Sequence, residues 1–489
     1  MVFTSSIFVY VFMPLFLLLY LFVNKLSEKF YFFKKIRIID ILCLIASFIF
    51  YMWAGSFNIV FLLYMIISAY ILGVIINKTK DISFNMGIKY IIQFFRELSV
   101  GRFFVAVGVV AAVFLLYRYK YFGLTLITFP NISNIMTPIG VSFLIFSLIS
   151  YLVDVYKGAD AGNLIDVALY ISFFPKVISG PIILWKEFSE KLRTREVSIE
   201  KISSGICKLV YGFAKKAIIA DYFGSVILLI QKTNGTVIDI PTAWLICILY
   251  MFQIYYDFAG YSDIAIGLSK IMGMEFDENF NFPYISTSIS EFWRRWHISL
   301  GAWLRKYVYI PLGGNRKGKR RMLLNLFIVM VVSGIWHGEG VAYLLWGVMH
   351  GICIVFEKVM GNKNWYKKIP DILKWLLTMF IVMMGWEVFR LGNFSSVIEF
   401  LGILVGINRA ETVTCTYQYY ITVKLIVMLI IAFTGAVIFG LISKMELFGK
   451  LKNKPPVLIG EYIISIALFI VACVCITNGT YSPFIYFQY

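Results

Sequence analysis

The stretch that decides the fold runs from Tyr255 to Gly338. Residues 255–316 read YYDFAGYSDIAIGLSKIMGMEFDENFNFPYISTSISEFWRRWHISLGAWLRKYVYIPLGGNR, and residues 333–338 read SGIWHG. Two of the chain's three histidines, His297 and His337, lie here, and so do the carboxylates Asp257 and Asp263, within otherwise apolar sequence. Charged and imidazole side chains at bilayer depth are costly, so these four residues are candidates for function.

The composition predicts an all-α polytopic integral membrane protein. Of 489 residues, 60% are hydrophobic and 15% are charged, whereas soluble domains average about 45–50% apolar and about 25% charged residues. About eleven transmembrane helices are expected, with re-entrant and interfacial helices besides. The apolar runs cover residues 6–23, 38–53, 57–76, 99–117, 137–153, 203–230, 241–256, 341–357, 370–389, 420–442 and 458–476.

The formal net charge of +18 comes from short loops between apolar runs, which favours a membrane over nucleic acid as the partner. These loops carry Lys25, Lys29, Lys34, Lys35 and Arg37, then Lys78, Lys80, Lys89, Arg96 and Arg102, then Lys186, Lys191, Arg193, Arg195 and Lys201. By the positive-inside rule they are cytoplasmic, which places the N-terminus outside. The first run has no basic residue before it and no small-residue cleavage site, so we expect it to remain as an anchor.

The cysteines support neither disulfides nor a metal. Their number is odd, seven, and no C-x-x-C pair occurs, so neither a disulfide framework nor a zinc site is predicted.

Residues 291–307 show a helical charge pattern. Glu291, Arg294, Arg295, Arg305 and Lys306 share one side of a helical projection, and aromatic and aliphatic residues fill the other. The pattern predicts one interfacial helix on the cytoplasmic side, with its tryptophans at the headgroup boundary. His297 falls at the border of the two faces, either at a cavity mouth or as an ordinary interfacial histidine.

A basic loop, Arg316–Arg321, follows this helix. Residues 313–319 fit G-x-x-x-x-G-K, but Arg320 stands where a phosphate loop requires Ser or Thr. The loop could instead attract an anionic cofactor or lipid headgroups by charge. The apolar run of residues 322–336 then carries His337 well across the hydrocarbon core, where it is a candidate base. His350, on a regular helix, is expected to be structural, although it could line the same cavity.

Three further features of the apolar segments lead to expectations. Pro175 and Pro181 interrupt residues 166–185, which favours a re-entrant element lining a cavity over a kinked span. Asp257 and Asp263 are expected to cap a helix or pair with an arginine. A last set, Lys208, Lys215 and Lys216, is expected to snorkel to the cytoplasmic face.

Six linked motifs carry a family resemblance. They are Phe173–Ile182 (FFPKVISGPI), Tyr256–Asp263 (YDFAGYSD), Glu278–Asn281 (ENFN), Glu291–Ser299 (EFWRRWHIS), Tyr309–Arg316 (YIPLGGNR) and Trp336–Gly338 (WHG). The set resembles the membrane-bound O-acyltransferase (MBOAT) family, and YIPLGGNR is more similar to the alginate O-acetyltransferase (AlgI-like) branch than to the D-alanyl-lipoteichoic acid (DltB-like) branch. Lys306 and Glu339 depart from the AlgI-like pattern, which leaves the substrate less determined than the reaction.

The resemblance implies a role for each candidate residue. His337 matches the family's invariant histidine and His297 matches an upstream His or Asn position, so both are expected to be catalytic. Acetyl-CoA would be the donor, without a metal, and we assign its binding to Arg294, Arg295 and Arg316. The acceptor would be an extracytoplasmic polysaccharide, such as alginate, or a serine on an extracytoplasmic SGNH-type acetyltransferase partner. The location would be the bacterial inner or plasma membrane.

The expected organisation is one membrane domain over residues 1–489. The motifs occupy about residues 130–360, and a helical extension of about residues 391–489 carries no chemical constellation. Two rival functions stay open. One is D-alanyl transfer to teichoic acid, and the other is a transporter or flippase, to which broken helices and intramembrane charges are equally suited.

Overall fold

The computed structural model describes residues 2–53, 55–82, 99–121, 137–235, 237–407, 412–446, 449 and 454–479. Across these ranges the chain is built of helices and loops without strands, as the composition predicts. Lys89 and Arg96, named above among the loop residues, lie outside them.

Twenty-two α-helices occur in the described ranges. They are α1 Met13–Lys29, α2 Tyr31–Lys35, α3 Ile38–Met52, α4 Ser56–Thr79, α5 Val100–Lys120, α6 Val141–Tyr156, α7 Leu164–Ser172, α8 Trp185–Arg193, α9 Ile199–Phe213, α10 Asp221–Asn234, α11 Ile240–Ile271, α12 Ile289–Arg295, α13 Ile298–Leu304, α14 Lys319–His337, α15 Val341–Met360, α16 Asn364–Lys367, α17 Asp371–Leu391, α18 Phe394–Leu404, α19 Tyr417–Tyr420, α20 Val423–Phe433, α21 Phe439–Ile442 and α22 Pro455–Asn478. Short π-helical segments occupy Phe8–Phe12, Ala214–Ala220, Arg305–Tyr309 and Thr434–Ile438, and Pro283–Ile285 forms a 3₁₀ turn.

Nine helices of the described chain are long and apolar enough to cross a bilayer, so the protein is a multi-pass membrane protein. Eight of them match predicted apolar runs, and the ninth is α14, expected from sequence as a shorter run. The runs at 38–53 and 137–153 form the shorter helices α3 and α6. The run at 203–230 is divided among α9, a π-helical segment and α10. The expected count of about eleven spans is therefore not reached in the described ranges.

Contacts divide the chain into two compact units, Met1–Ile206 with Ala265–Asp277, and Cys207–Ile264 with Glu278–Tyr489. In the first unit, the broken segment predicted at residues 166–185 is present: α7 ends at Ser172, and the following residues are non-helical until α8 begins. This segment is buried and includes Lys176, whose Nζ donates to Ser147 Oγ (2.9 Å) and lies 4.2 Å from the centre of the Tyr170 ring.

The second unit contains a close helix pair held by small residues and ions. A Cβ at Gly212 would lie 2.7 Å from Gly260 O, so α9 and α11 can approach this closely only with glycine at that point. The π-helical segment Ala214–Ala220 then widens the turn and carries Lys215 and Lys216 to α11. These two lysines reach carboxylates of α11, which fixes the register of the pair.

A second close pair in this unit is α14 with α15. A Cβ at Gly334 would lie 3.0 Å from Gly347 Cα, so a larger side chain at either position would push the helices apart. This contact places His337, the last residue of α14, beside α15.

One interpretation of the sequence is wrong here. Residues 291–307 do not form a continuous interfacial helix, because α12 ends at Arg295 and His297 adopts a left-handed conformation (φ +46°) before α13 begins. Trp296 and Trp303, expected at the headgroup boundary, are buried in the second unit. The helical projection assumed an unbroken helix, and tertiary hydrogen bonds at the break override it.

Candidate active site

His297 lies in the second unit, at the break between α12 and α13, and it is buried. Its Nδ1 is 3.1 Å from Asn279 Oδ1. The same oxygen accepts from Ser299 N (3.2 Å) and from Ser299 Oγ (2.8 Å), while Asn279 Nδ2 donates to Ser262 Oγ (3.0 Å). The amide oxygen of the loop residue Asn279 thus holds the imidazole, and its amide nitrogen bonds separately to Ser262 of α11.

The backbone around Asn279 holds the left-handed turn at His297. Ile298 N donates to Asn279 O (2.9 Å), and Asn281 N donates to Arg295 O (2.9 Å). These two bonds tie the chain on both sides of His297 to the loop that follows α11. A left-handed conformation is uncommon for a residue other than glycine, and such strained positions cluster at functional sites.

The electrostatic environment keeps His297 neutral. The residue lies between the candidate spans α11 and α14, and burial lowers the pKa of its imidazole to about 3. Its Nε2 is buried and has no hydrogen-bond partner among the described residues. A neutral imidazole with one free ring nitrogen can accept a proton or a hydrogen bond.

His337 is buried at the end of α14. Its ring centre lies 5.1 Å from that of Trp346 and 5.0 Å from that of Phe389, and both rings meet the imidazole edge-on. A side chain at Gly338 would collide with the Tyr343 ring. Tyr343 packs against residue 338 and leaves room only for glycine, so packing within the fold explains this residue.

His350, on α15, is a packed side chain, as expected from sequence. Trp293 Nε1 donates to its Nδ1 (3.4 Å), and a Cβ on Gly385 would lie 2.7 Å from its Nε2. Because the indole N–H can only donate, Nδ1 is the acceptor and the proton is on Nε2. This places the proton of His350 on the nitrogen that faces Gly385.

Aromatic rings connect His297 to His337 within the second unit. From His297 the ring contacts pass to Phe258 (4.7 Å), Phe280 (5.0 Å), Trp296 (5.0 Å), Trp386 (4.6 Å), Trp346 (6.3 Å) and His337 (5.1 Å). We call these five intervening side chains the aromatic wall. Large rings of this kind bury much apolar area and hold defined geometries, so each imidazole has a large apolar ring against it.

The three arginines assigned to the donor differ in their surroundings. Arg294 and Arg316 are exposed. Arg295 instead pairs with Glu291 (2.9 Å) and donates to Asn281 O (3.0 Å). Burial opposes ionisation of Glu291, but the Thr287 N–H and Arg295 lower its carboxyl pKa below the ordinary value. Arg295 therefore supports the loop beside His297, whereas the side chains of Arg294 and Arg316 are open to the surroundings.

The intramembrane carboxylates are paired, as expected, but with lysines. Asp257 meets Lys216 at 2.6 Å, and Asp263 meets Lys208 at 3.0 Å and also Lys215. Lys216 is buried, so its expected role as a snorkelling anchor is wrong. These pairs stabilise the α9–α11 contact. In the described ranges no group of three or more His, Cys, Asp or Glu side chains forms a metal site.

Two functional supports were not identified from sequence. Glu357, on α15, accepts from the backbone N–H groups of Ile289 (2.5 Å) and Ser290 (2.8 Å), and so holds the start of α12. Asn279 lies in the ENFN motif, but the motif alone does not show what its amide contacts. A carboxylate within the apolar helix α15 was the one available signal for Glu357.

The sequence is similar to those of known proteins. The family model for "MBOAT, membrane-bound O-acyltransferase family" matches residues 159–392, which include His297, His337 and His350. The chain is 33% identical to a protein of Pseudomonas putida named "Probable alginate O-acetylase AlgI", with 100% of both chains covered. It is 38% identical to the protein of the same name in Pseudomonas syringae, over 80% of this chain and 73% of that protein.

A relative with another printed substrate is also similar. The "Peptidoglycan O-acetyltransferase" of Helicobacter pylori is 28% identical, over 83% of this chain and 80% of that protein. The similarity to the Pseudomonas proteins extends over most or all of their length, far beyond the short motifs. The chain therefore belongs to the membrane-bound O-acyltransferase family, in its alginate O-acetylase-like branch, and it is an O-acyltransferase.

Proposed function

We propose that this protein moves an acetyl group from acetyl-CoA on the cytoplasmic side of the bacterial inner or plasma membrane to an extracytoplasmic polysaccharide. Alginate, or another exopolysaccharide or cell-wall polymer, is the acceptor class that the named relatives suggest. An SGNH-type partner protein outside the membrane would receive or deliver the group. The observation that carries this proposal is the burial of His297 and His337 at the two ends of one aromatic wall.

The dimensions of α14 support transfer across the bilayer. At ~1.5 Å per residue, the helix Lys319–His337 rises about 27 Å, close to the ~30 Å thickness of the hydrocarbon core. Its first residues belong to the basic loop with Arg316, which the positive-inside rule places in the cytoplasm. His337 would then lie toward the extracytoplasmic side, where the acceptor arrives.

The reaction requires one proton transfer. The acceptor hydroxyl oxygen attacks the thioester carbonyl carbon, the C–O bond forms and the C–S bond breaks. In our scheme the imidazole of His337 takes the hydroxyl proton, and the CoA sulfur leaves and gains a proton. A general base contributes typically about 10²–10⁴-fold to the rate. Exposed Arg294 and Arg316 would bind the CoA phosphates, since guanidinium groups suit phosphate oxygens.

The experiment deletes the gene in its source organism and complements it with wild type, His337→Ala or His350→Ala at equal membrane abundance. Mild base then releases esters from the isolated surface polymers, and the released acids are measured. We expect acetate to be lost on deletion, restored by wild type, and reduced by about 10²-fold or more in His337→Ala.

Other results would overturn parts of this proposal. Loss of D-alanine in place of acetate would support the D-alanyl transferase alternative. Inside-out vesicles that carry the protein and its acceptor but release no CoA from acetyl-CoA would rule out the donor. Near-normal acetate in His337→Ala would remove His337 from the mechanism, and equal losses in both histidine variants would leave it a packing residue only.

A further inference from the structure

The buried carboxamide of Asn279 contacts the imidazole of His297. We propose that Asn279 is a positioning residue, which holds His297 as the Nδ1–H tautomer and thereby presents Nε2 as a hydrogen-bond acceptor for an N–H or O–H group of a substrate. The proposal deepens the proposed function, on which it rests for its acyl-transfer readout.

The first step fixes the orientation of the amide. Ser299 N is a backbone donor and cannot accept, so the Asn279 atom 3.2 Å from it must be the oxygen. The amide nitrogen then faces Ser262 Oγ at 3.0 Å, where it donates. The assignment of oxygen and nitrogen therefore follows from the surrounding hydrogen bonds.

The second step fixes the proton on the imidazole. His297 Nδ1 lies 3.1 Å from Asn279 Oδ1, and a carboxamide oxygen only accepts. Nδ1 must therefore carry the hydrogen. In the neutral ring, Nε2 is then left with its lone pair, and it has no partner among the described residues although it is buried.

Hydrogen-bond partners define the tautomers of two histidines, His297 and His350. His350 Nδ1 faces the indole N–H of Trp293, so it has the opposite tautomer and its proton points at Gly385. The acceptor nitrogen of His350 therefore has a donor within the fold. His297 Nε2 has no partner among the described residues, and burying a polar atom without a hydrogen bond is unfavourable. A substrate donor would remove that cost.

Because the residues in contact with the His297 ring are uncharged, the effect of one added charge can be measured. Phe258 of α11, Asn279 and Ser299 contact the ring, and none of them is charged. The charged groups nearest in sequence to the ring and its partners are Arg295, Asp263 and Glu278. Arg295, two residues before His297, pairs with Glu291, whereas Asp263 and Glu278, next to Ser262 and Asn279, both pair with Lys208. Replacing the amide of Asn279 by a carboxylate would therefore put one new charge beside the imidazole without changing its shape.

The variants are Asn279→Ala, Asn279→Asp and, as the matched control, Ser262→Ala. Ser262→Ala removes the contact to Asn279 Nδ2 but leaves Oδ1 in place, so turnover should stay close to wild type. Asn279→Ala should lower kcat by about 10- to 100-fold, the loss typical when a metal-binding histidine loses its outer hydrogen-bond partner. Because donor binding is assigned to Arg294 and Arg316, the KM for acetyl-CoA should be unchanged.

Asn279→Asp should change the pH dependence of turnover, which would stay the same if Asn279 only supported the fold. A carboxylate keeps the acceptor for Nδ1–H, so activity at pH 8 should return to near wild type. The added negative charge favours the imidazolium, which has no Nε2 lone pair, so the acid limb of the pH–rate profile should move upward by about one to three pH units.

The measurement is acetyl-CoA turnover in inside-out vesicles from complemented deletion cells, over pH 4–9 at matched abundance. The proposal is overturned by wild-type kcat in Asn279→Ala, by an unshifted acid limb in Asn279→Asp, or by equal losses in Ser262→Ala and Asn279→Ala. Failure of both Asn279 variants to accumulate would also overturn it, because the amide would then hold the fold. Total acid released from cell-surface polymers is compared in parallel, so a wrong donor changes which acid appears but not the ranking of the variants.

Discussion

Lys216 Nζ and Asp257 Oδ1 form an ion pair of 2.6 Å in which both side chains are almost completely buried. A buried charge whose partner is removed costs about 3–5 kcal/mol, whereas replacing both charges by apolar groups of similar size is often neutral. The pair therefore holds α9 and α11 in register only as long as both members are present.

We predict that Asp257→Ala will lower the membrane abundance and the thermal midpoint of the detergent-solubilised protein. The double variant Lys216→Met/Asp257→Leu should recover much of the loss, less the part due to the second partner of Lys216, Asp221. The control is Asp160→Ala in the first unit. Asp160 pairs with the exposed Arg193, so losing this pair should change the thermal midpoint little. Equal midpoints for Asp257→Ala and the control would contradict a stabilising role.

Donor binding should separate the neighbouring arginines. Arg294→Glu is predicted to raise the KM for acetyl-CoA by about five- to tenfold, which corresponds to roughly 1 kcal/mol, with unchanged abundance because the side chain is exposed. Arg295→Glu should instead reduce abundance, since it loses Glu291 and Asn281 O. Turnover against acetyl-CoA concentration in vesicles measures the first effect. An unchanged KM in both Arg294→Glu and Arg316→Glu would exclude this surface as the donor entrance.

The basic loop should be cytoplasmic. In a cysteine-free background, Lys317→Cys is predicted to resist a membrane-impermeant maleimide in intact cells, while Val237→Cys reacts, because Lys and Arg concentrate on the cytoplasmic side. Val237 is 50% exposed and suits labelling, whereas neighbouring Asn234 is buried by its bonds to the Cys415 backbone. The reverse labelling pattern would contradict both the orientation and a cytoplasmic donor.

Acid should destabilise the fold through His297. Burial lowers its folded pKa to about 3, below the ~6.5 of an exposed histidine. Between these two values the unfolded chain binds the extra proton, so stability falls as pH decreases below about 6.5. From pH 7 to pH 5 this one group accounts for about 2 kcal/mol. The thermal midpoint of wild type should therefore drop more over this range than that of His297→Asn, and identical drops would refute the assignment.

Much of the architecture follows from hydropathy, because length and apolar content select the spans independently of how they pack. The same reasoning fails where tertiary contacts decide. Helical periodicity carries no sign that residue 297 is left-handed, since that conformation is held by backbone bonds from Asn279 and Asn281. Lys216 appeared to be an anchor because nothing in the sequence indicates the close approach of Gly212 and Gly260.

Some residues of the candidate site could likewise be predicted from sequence, and others could not. His297 and His337 could be singled out because imidazoles are rare and costly in apolar sequence. The role of Asn279 could not, because a carboxamide in a loop gives no signal until its contacts are known. The aromatic wall was also hidden, since its tryptophans and phenylalanines come from segments far apart in the chain.

Helix α15 contacts both the helix that carries His337 and the helix that leads to His297. Gly347 contacts the helix that ends in His337, and Glu357 holds the first turn of α12, the helix leading to His297. Each added residue turns an α-helix by about 100°. One residue inserted between Gly347 and Glu357 would keep the contact of Gly347 with α14 but rotate the Glu357 side chain away from the start of α12. The number of residues between Gly347 and Glu357 is therefore a fixed dimension of the enzyme.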